Sequence, residues 1–285
     1  MFADRANSLM NQFRQNRAIV LLISPALIFL VVLFIVPLIY VIAGTLTNDA
    51  GALSLQNYTD FATDPIAQKV YLRTLRLALV VTVIAAVAGY PVAYIIARMT
   101  PRRRAVMMSL IILPLMTNPV ARTFSWLVIL GRHGLVNNVV EALHLSERPL
   151  RLMYTEKAIV LGLLHLFFPL MVLSLMSAME NVDYSLEHAA QSLGANRLRT
   201  FWEVVVPLSA DGLIMGGTLV FTGCITAYVT PSILGGTRVL MLSTLLYQRA
   251  MVLLNWDAAT VVAVVMVLTT LVVNRLLRLF RPKTL

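Results

Sequence analysis

Cysteine is almost missing from this chain, and carboxylates are scarce. The single cysteine, Cys224, lies inside an apolar run, so a disulfide framework and a thiolate metal cluster are both excluded. Asp and Glu number 13 against 23 Lys and Arg. Charged residues make up 13% of the chain, about half the ~25% of a soluble domain. His133, His144, His165 and His188 are scattered and form no HExxH. No GxxxxGK[ST] occurs, so there is no P-loop to hold a nucleotide.

What is there is apolar surface. Of 285 residues 59% are hydrophobic, and mean hydropathy is +0.82. That exceeds what one soluble core hides, so a bilayer must be part of the solvent. The net charge of +10 does not point to nucleic acid, because Lys and Arg lie beside apolar runs rather than on a polar domain. Uncharged runs cover 18–48, 77–97, 105–121 (continuing past Arg122 to Leu130), 158–179, 212–237 and 258–274. As a helix, 77–97 covers about 31 Å, the thickness of a hydrocarbon core. Membrane strands are shorter and alternate, so the expectation is an all-α membrane protein of six spans. The run 18–48, preceded by Arg14 and Arg17, is too long for a cleavable signal core and reads as the first span.

Lys and Arg set the topology. With both termini inside, the inner segments hold 13 of them and the outer segments nine. The tight cluster Arg102–Arg104 and the basic ends favour N-in, C-in. Of the outer loops, 131–156 contains a short surface helix in LVNNVVEALHL. The loop 232–256 contains VLMLSTLLYQRAMVLLNW, read as a re-entrant or interfacial helix.

The longest charged interruption in the second half is ENVDYSLEHAAQSLGANRLRTFWEVVVP, residues 180–207. Leu186, Ala189, Ala190 and Leu193 recur at helical spacing, Asp183 or Ser185 caps the start, and Gly194 stands at the stop. A short helix with one small-residue face suits docking into another protein; an ordinary solvated loop helix is the plainer reading. This stretch resembles the cytoplasmic EAA loop of ABC-importer permeases of the type I fold: Glu-Ala-Ala, three residues, Gly, nine residues, Ile-x-Leu-Pro. Ala189, Ala190, Gly194 and Pro207 fall in register, with Val204 and Val206 at the Ile and Leu positions. His188 occupies the Glu position and Glu187 sits one residue early. LPLMTNPVARTFSW and ITAYVTPSILGG are similar to the spermidine/putrescine-type permeases, and the likeness runs over nearly the whole chain.

The resemblance implies one permease domain, 1–285, in a bacterial inner membrane. It implies coupling to ATPase chains through Glu187, His188, Ala189, Ala190, Gly194, Ala195 and Pro207. The expected partners are a second permease forming a heterodimer, two copies of a cytoplasmic ABC ATPase, a periplasmic solute-binding protein and membrane lipid. No cofactor is expected in this chain; ATP and Mg belong to the ATPase. The solute implied is a small polar one, a polyamine or a related amine or amino-acid derivative, although Ala227 stands where that family often carries a carboxylate.

Arg122, with Thr117, Asn118 and Trp126, is a candidate for the substrate pathway, because an intramembrane Arg is costly unless paired or facing water. Structural pairing or snorkelling is the alternative. Thr226 and Tyr228 are candidates from the fifth span. Gly212, Gly216, Gly217 and Gly223 suit close helix packing there. His165 reads as a neutral, hydrogen-bonded bundle residue rather than a proton site. An ion-coupled secondary transporter is the other class to weigh, but every Asp and Glu falls outside the middle of a span. A membrane enzyme lacks any nucleophile or metal constellation.

Overall fold

The computed structural model describes residues 22–47, 53–146 and 148–279. The basic segment with Arg5, Arg14 and Arg17, and the terminal Arg281 and Lys283, lie outside these residues. Two compact units divide the chain, 1–60 and 61–285.

In the first unit, α1 (Leu22–Gly44) is long and apolar enough to cross a membrane. It carries a π turn at Val31–Ile35, where Val36 N–H reaches back to Val31 O. Pro37 follows at once. A proline ring clashes with the carbonyl four residues back and donates nothing, and the wider turn relieves both problems. Beyond α1, the Thr45 hydroxyl and the Tyr58 hydroxyl are 2.7 Å apart, and Asn57 donates to Thr45 O at 3.2 Å.

The second unit follows α2 (Gln56–Thr63) with α3 (Pro65–Ala97), capped by the Asp64 carboxylate on Ile66 N–H at 2.8 Å. The expected second span, 77–97, therefore begins earlier. The polar first turns through Arg73 and Arg76 continue the same helix, because Asp64-Pro65 supplies both a cap and an N1 proline. Next come α4 (Pro101–Met116), α5 (Pro119–Leu130), the short α6 (Leu135–Ala142) and α7 (Glu156–Glu180). The 180–207 stretch folds as α8 (Tyr184–Ser192) and α9 (Arg197–Leu208). Then follow α10 (Ala210–Thr226), α11 (Val229–Leu234), α12 (Leu242–Tyr247) and α13 (Trp256–Leu279).

Two expected spans are corrected. The third does not run straight to Leu130: the helices on either side of Thr117 and Asn118 meet at 93°. Pro119 disfavours the α conformation at Asn118, which is extended here and whose side chain caps α5 at Val120 N–H, 2.8 Å away. The fifth is not one helix over 212–237. It is α9 and α10, bent by 67° at Ser209, and it ends at Thr226. A π turn at Phe201–Val205 precedes Pro207, repeating the arrangement before Pro37. Among the described residues four helices are long and apolar enough to cross a membrane, and with each of these two bent pairs taken as one span the number is six.

Helix α7 is the centre of the packing, lying against α3 and α10. A Cβ added at Gly212 would sit 2.5 Å from Ala178 Cβ, and one at Gly216 would sit 2.7 Å from Met171 Sδ. Small residues let the two backbones approach, as expected for these glycines. Within the 232–256 loop, α12 is packed against the protein. Leu242, Ser243, Thr244 and Leu245 are buried, and Leu242 N–H is held by Thr74 Oγ1 at 3.0 Å. The ion pairs that bridge elements lie at span ends. Arg98–Glu187 and Arg104–Glu180 join elements at one end. At the other, Arg73 and Arg76 hold Glu156, and Arg249 holds Asp64 at 2.8 Å. The directions of α3, α4 and α7 thus alternate as the N-in, C-in reading requires.

Candidate functional site

The 184–195 segment is built by its caps. The Asp183 carboxylate accepts from Ser185 N–H at 2.9 Å, and that bond holds the carboxyl below its usual range. At the far end Gly194 takes φ +94°, Gly194 N–H reaches Gln191 O, and Ala195 N–H reaches Ala190 O, each at 3.0 Å. This is a Schellman close, and the left-handed φ is what calls for glycine. Asn196 then caps α9 on Arg199 N–H at 2.8 Å. Pro207 is exposed near the end of α9.

The two faces of α8 differ. Leu186 is 45% exposed and Leu193 89%, with Ala189 exposed and Ala190 half-buried between them. The expected apolar face therefore looks outward. On the other side Glu187 is only 3% exposed. Its Oε1 meets Arg98 Nη2, and its Oε2 accepts from the Tyr94 hydroxyl at 3.1 Å. His188 is exposed, its ring edge-on to Tyr184 with centroids 4.9 Å apart. Of the two candidates for the Glu role, Glu187 turns inward and His188 outward. A cavity of about 540 Å³ opens between α3, α8 and α9, lined by Tyr94, Arg98, Tyr184, Glu187 and Phe201 among others. Sequence reading missed Tyr94, Arg98 and Phe201 here. Arg98 counted only towards topology, and nothing local ties it to α8.

Of the candidate pathway residues, Arg122 and Trp126 lie on α5, Thr117 and Asn118 at the break before it, Thr226 at the end of α10 and Tyr228 just before α11. Helices α5 and α11 touch through Thr123 and Thr230, whose hydroxyls are 3.4 Å apart. Thr117 and Asn118 are exposed at the break. Arg122 is 8% exposed; its Nη1 donates to Pro114 O, a carbonyl that Thr117 Oγ1 also reaches at 2.7 Å. A cation at the C-terminal end of α4 is favourably placed against the helix dipole. Arg122 Nη2 is buried and has no partner among the described residues. Trp126 donates to His165 Nδ1 at 3.0 Å, beside an apolar cavity of about 380 Å³ that both residues line. Thr226 is exposed at the end of α10. Tyr228 is exposed, and its ring lies 4.9 Å from that of Tyr247, tilted by 36°. Tyr247 carried no sequence signal, since its pairing depends on how α12 tucks under the break.

The fold with its bent spans and projecting short helix defines a type I transporter permease. Two solved structures share it. One, a bacterial alginate ABC transporter in complex with an alginate pentasaccharide-bound periplasmic protein, superposes with TM-score 0.75 at 14% identity over 94% of each chain. The other, a bacterial ABC transporter for alginate import, gives TM-score 0.71 at 14% identity, covering 96% of this chain and 99% of that one.

Sequence comparison goes further. Residues 89–285 match the binding-protein-dependent transport system inner membrane component family, and the chain belongs to it. It is 31% identical over 250 residues to the spermidine/putrescine transport system permease protein PotB of Haemophilus influenzae, covering 85% of this chain and 87% of that protein. It is 32% identical over 234 residues to PotB of Escherichia coli K12, covering 81% and 85%. This is the permease of an ABC importer, a multi-pass inner-membrane component of a binding-protein-dependent transport system. It is a transport component rather than an enzyme, with ATP hydrolysis on separate subunits. The end bearing α8, Arg102–Arg104 and Arg199 is the cytoplasmic one.

Proposed function

We propose that this chain is one half of a heterodimeric permease pair whose cytoplasmic helix α8 is gripped by one of two ATPase copies. The carrying observation is the outward apolar face of Leu186, Ala189 and Leu193 on a helix whose other face is pinned by Glu187. An isolated nine-residue helix is marginal in water. Caps and pinning keep it formed, and an exposed apolar stripe on a preformed helix fits a groove in a partner. His188, Ala190, Gly194, Ala195 and Pro207 serve this coupling segment, 180–207, within a single permease domain spanning both compact units.

The solute reading is a polyamine or a related amine, supported by the relatives' names and by the paired rings of Tyr228 and Tyr247. Aromatic faces attract alkylammonium groups, which suits a cation where Ala227 supplies no carboxylate. Thr226, with Thr117, Asn118, Arg122 and Trp126 across the α5–α11 contact, completes the path on this side; counter-charge for a polycation falls to the second permease.

The test is reconstitution of the permease pair, ATPase and binding protein in liposomes, with labelled spermidine and putrescine outside. Uptake that requires internal ATP and the binding protein supports the reading. Binding-protein-stimulated ATP hydrolysis without uptake of either amine would sink the solute assignment. Co-purification of the ATPase with a Leu193→Asp permease at wild-type yield would sink the docking assignment.

A further inference from the structure

The carboxylate of the coupling helix faces away from the surface an ATPase would touch. Glu187 is almost fully enclosed, and its charge meets Arg98 at the inner end of α3. Arg98 is itself clamped. Its guanidinium carbon stands 3.5 Å from the Tyr94 ring centroid and 5.6 Å from that of Tyr184, and its Nη1 donates to Tyr94 O at 3.2 Å. Tyr94 closes the circuit through its hydroxyl on Glu187 Oε2. Phe201, on the π turn of α9, packs edge-on against both Tyr94 and Tyr90, at 5.3 and 6.0 Å. Three elements, α3, α8 and α9, are thereby tied at one point beside the open cavity.

We infer that Glu187 is a positioning residue: through Arg98 it locks α8 to α3, so that a stroke applied to Leu186 and Leu193 is delivered to the transmembrane helix α3 rather than spent in hinging α8. This rests on the reading of α8 as the ATPase-docking helix. The physics favours a lock over a passive contact. Separating a buried ion pair strands both charges, so the pair resists opening far more than an exposed one does. The adjoining cavity leaves space into which an unlocked α8 would swing. Helix α3 in turn packs along α7 and α10 through the bilayer, so its displacement reaches the helices beside the pathway.

The experiment uses the assembled transporter in liposomes. Glu187→Gln keeps the volume and the acceptor for Tyr94 but removes the charge; Arg98→Met removes the other partner; a double variant, Arg98→Glu with Glu187→Arg, reverses the pair. Co-purification of ATPase, ATP hydrolysis, and uptake per ATP are measured, with spin-label distances between positions 95 and 192. Each single variant should retain ATPase at wild-type yield while uptake per ATP falls about tenfold and the distance distribution broadens, as breaking a buried pair demands. The reversed pair should recover a substantial part of both readouts, which a loss of folding would not allow. The lock is overturned if Glu187→Gln loses the ATPase while Arg98→Met keeps it, because the carboxylate then contacts the ATPase directly. It is equally overturned if both single variants transport with wild-type coupling and a narrow distance. Retention of ATPase by Leu193→Asp would instead refute the docking reading, and is scored separately.

Discussion

Trp126 donates its indole N–H to Nδ1 of His165, joining α5 to α7 across 3.0 Å within the bilayer. An Nδ1 that accepts carries no proton, so His165 holds its proton on the other nitrogen and serves here as a neutral acceptor. Replacing it by Leu strands the indole donor, at a cost of about 1–3 kcal/mol. Asn, whose side-chain oxygen reaches the Nδ1 position, should restore most of that. Thermal unfolding in detergent should therefore rank wild type, then His165→Asn, then His165→Leu. Equal loss in both variants would mean that the bond contributes nothing. ATP-driven uptake in the Asn variant should persist in the presence of a protonophore.

Arg122 makes a different demand. Its Nη1 serves the Pro114 carbonyl freed at the α4–α5 break, while Nη2 is buried with no partner among the described residues. A hydrogen bond from a charged donor contributes about 1.5–3 kcal/mol, so Arg122→Ala should lower the unfolding temperature by several degrees. If Nη2 also serves the path, uptake normalised to folded protein should fall further, with ATPase co-purification unchanged. Normalised uptake equal to wild type would confine Arg122 to stapling the break.

Spans announce themselves by length and apolarity, and all six were legible on that ground. The breaks were not, because apolarity carries straight through Thr117–Asn118 and through Ser209 while the backbone does not. Asn118-Pro119 does hold a signal, a cap followed by an N1 proline, but membrane helices tolerate proline so often that its presence alone does not mark a break. The helix at 184–192 was legible from Asp183 and Gly194. The burial of Glu187 was not, because the cation that holds it lies at the end of α3, far away along the chain. The π turns before Pro37 and Pro207 likewise depend on ring-to-carbonyl clashes that no periodicity shows.

The glycines of α10 give a prediction of opposite signs. At Gly212 a Cβ would fall 2.5 Å from Ala178 Cβ and 2.7 Å from Ser174 O, so α7 and α10 must separate. At Gly217 it would meet only Thr82 Cγ2 at 3.7 Å, an ordinary contact. Gly212→Ala should destabilise by about 1–3 kcal/mol through overpacking. Gly217→Ala should be neutral or stabilising by up to ~1 kcal/mol through helix propensity. Unfolding of the two variants, side by side, checks the sign. A Gly212→Ala protein as stable as wild type would show that the helices are not in this contact.

At Gly194 there is space on every side and no freedom of conformation. No atom lies within 4 Å of an added Cβ, but φ is +94°. A side chain there is penalised by its own backbone, by about 1–2 kcal/mol for most residues, and least for Asn, which tolerates the left-handed region. β-Branched Val is the worst fit. Gly194→Val should therefore open the close on Gln191 and Ala190, fray α8 at Leu193, and let ATP hydrolysis run without proportionate uptake. Membrane insertion should be unaffected, since the capped turn lies outside the bilayer. Gly194→Asn should stay near wild type in uptake per ATP. A steric requirement would hit Asn and Val alike, whereas a conformational one separates them. Wild-type coupling in Gly194→Val would remove the turn from the coupling machinery.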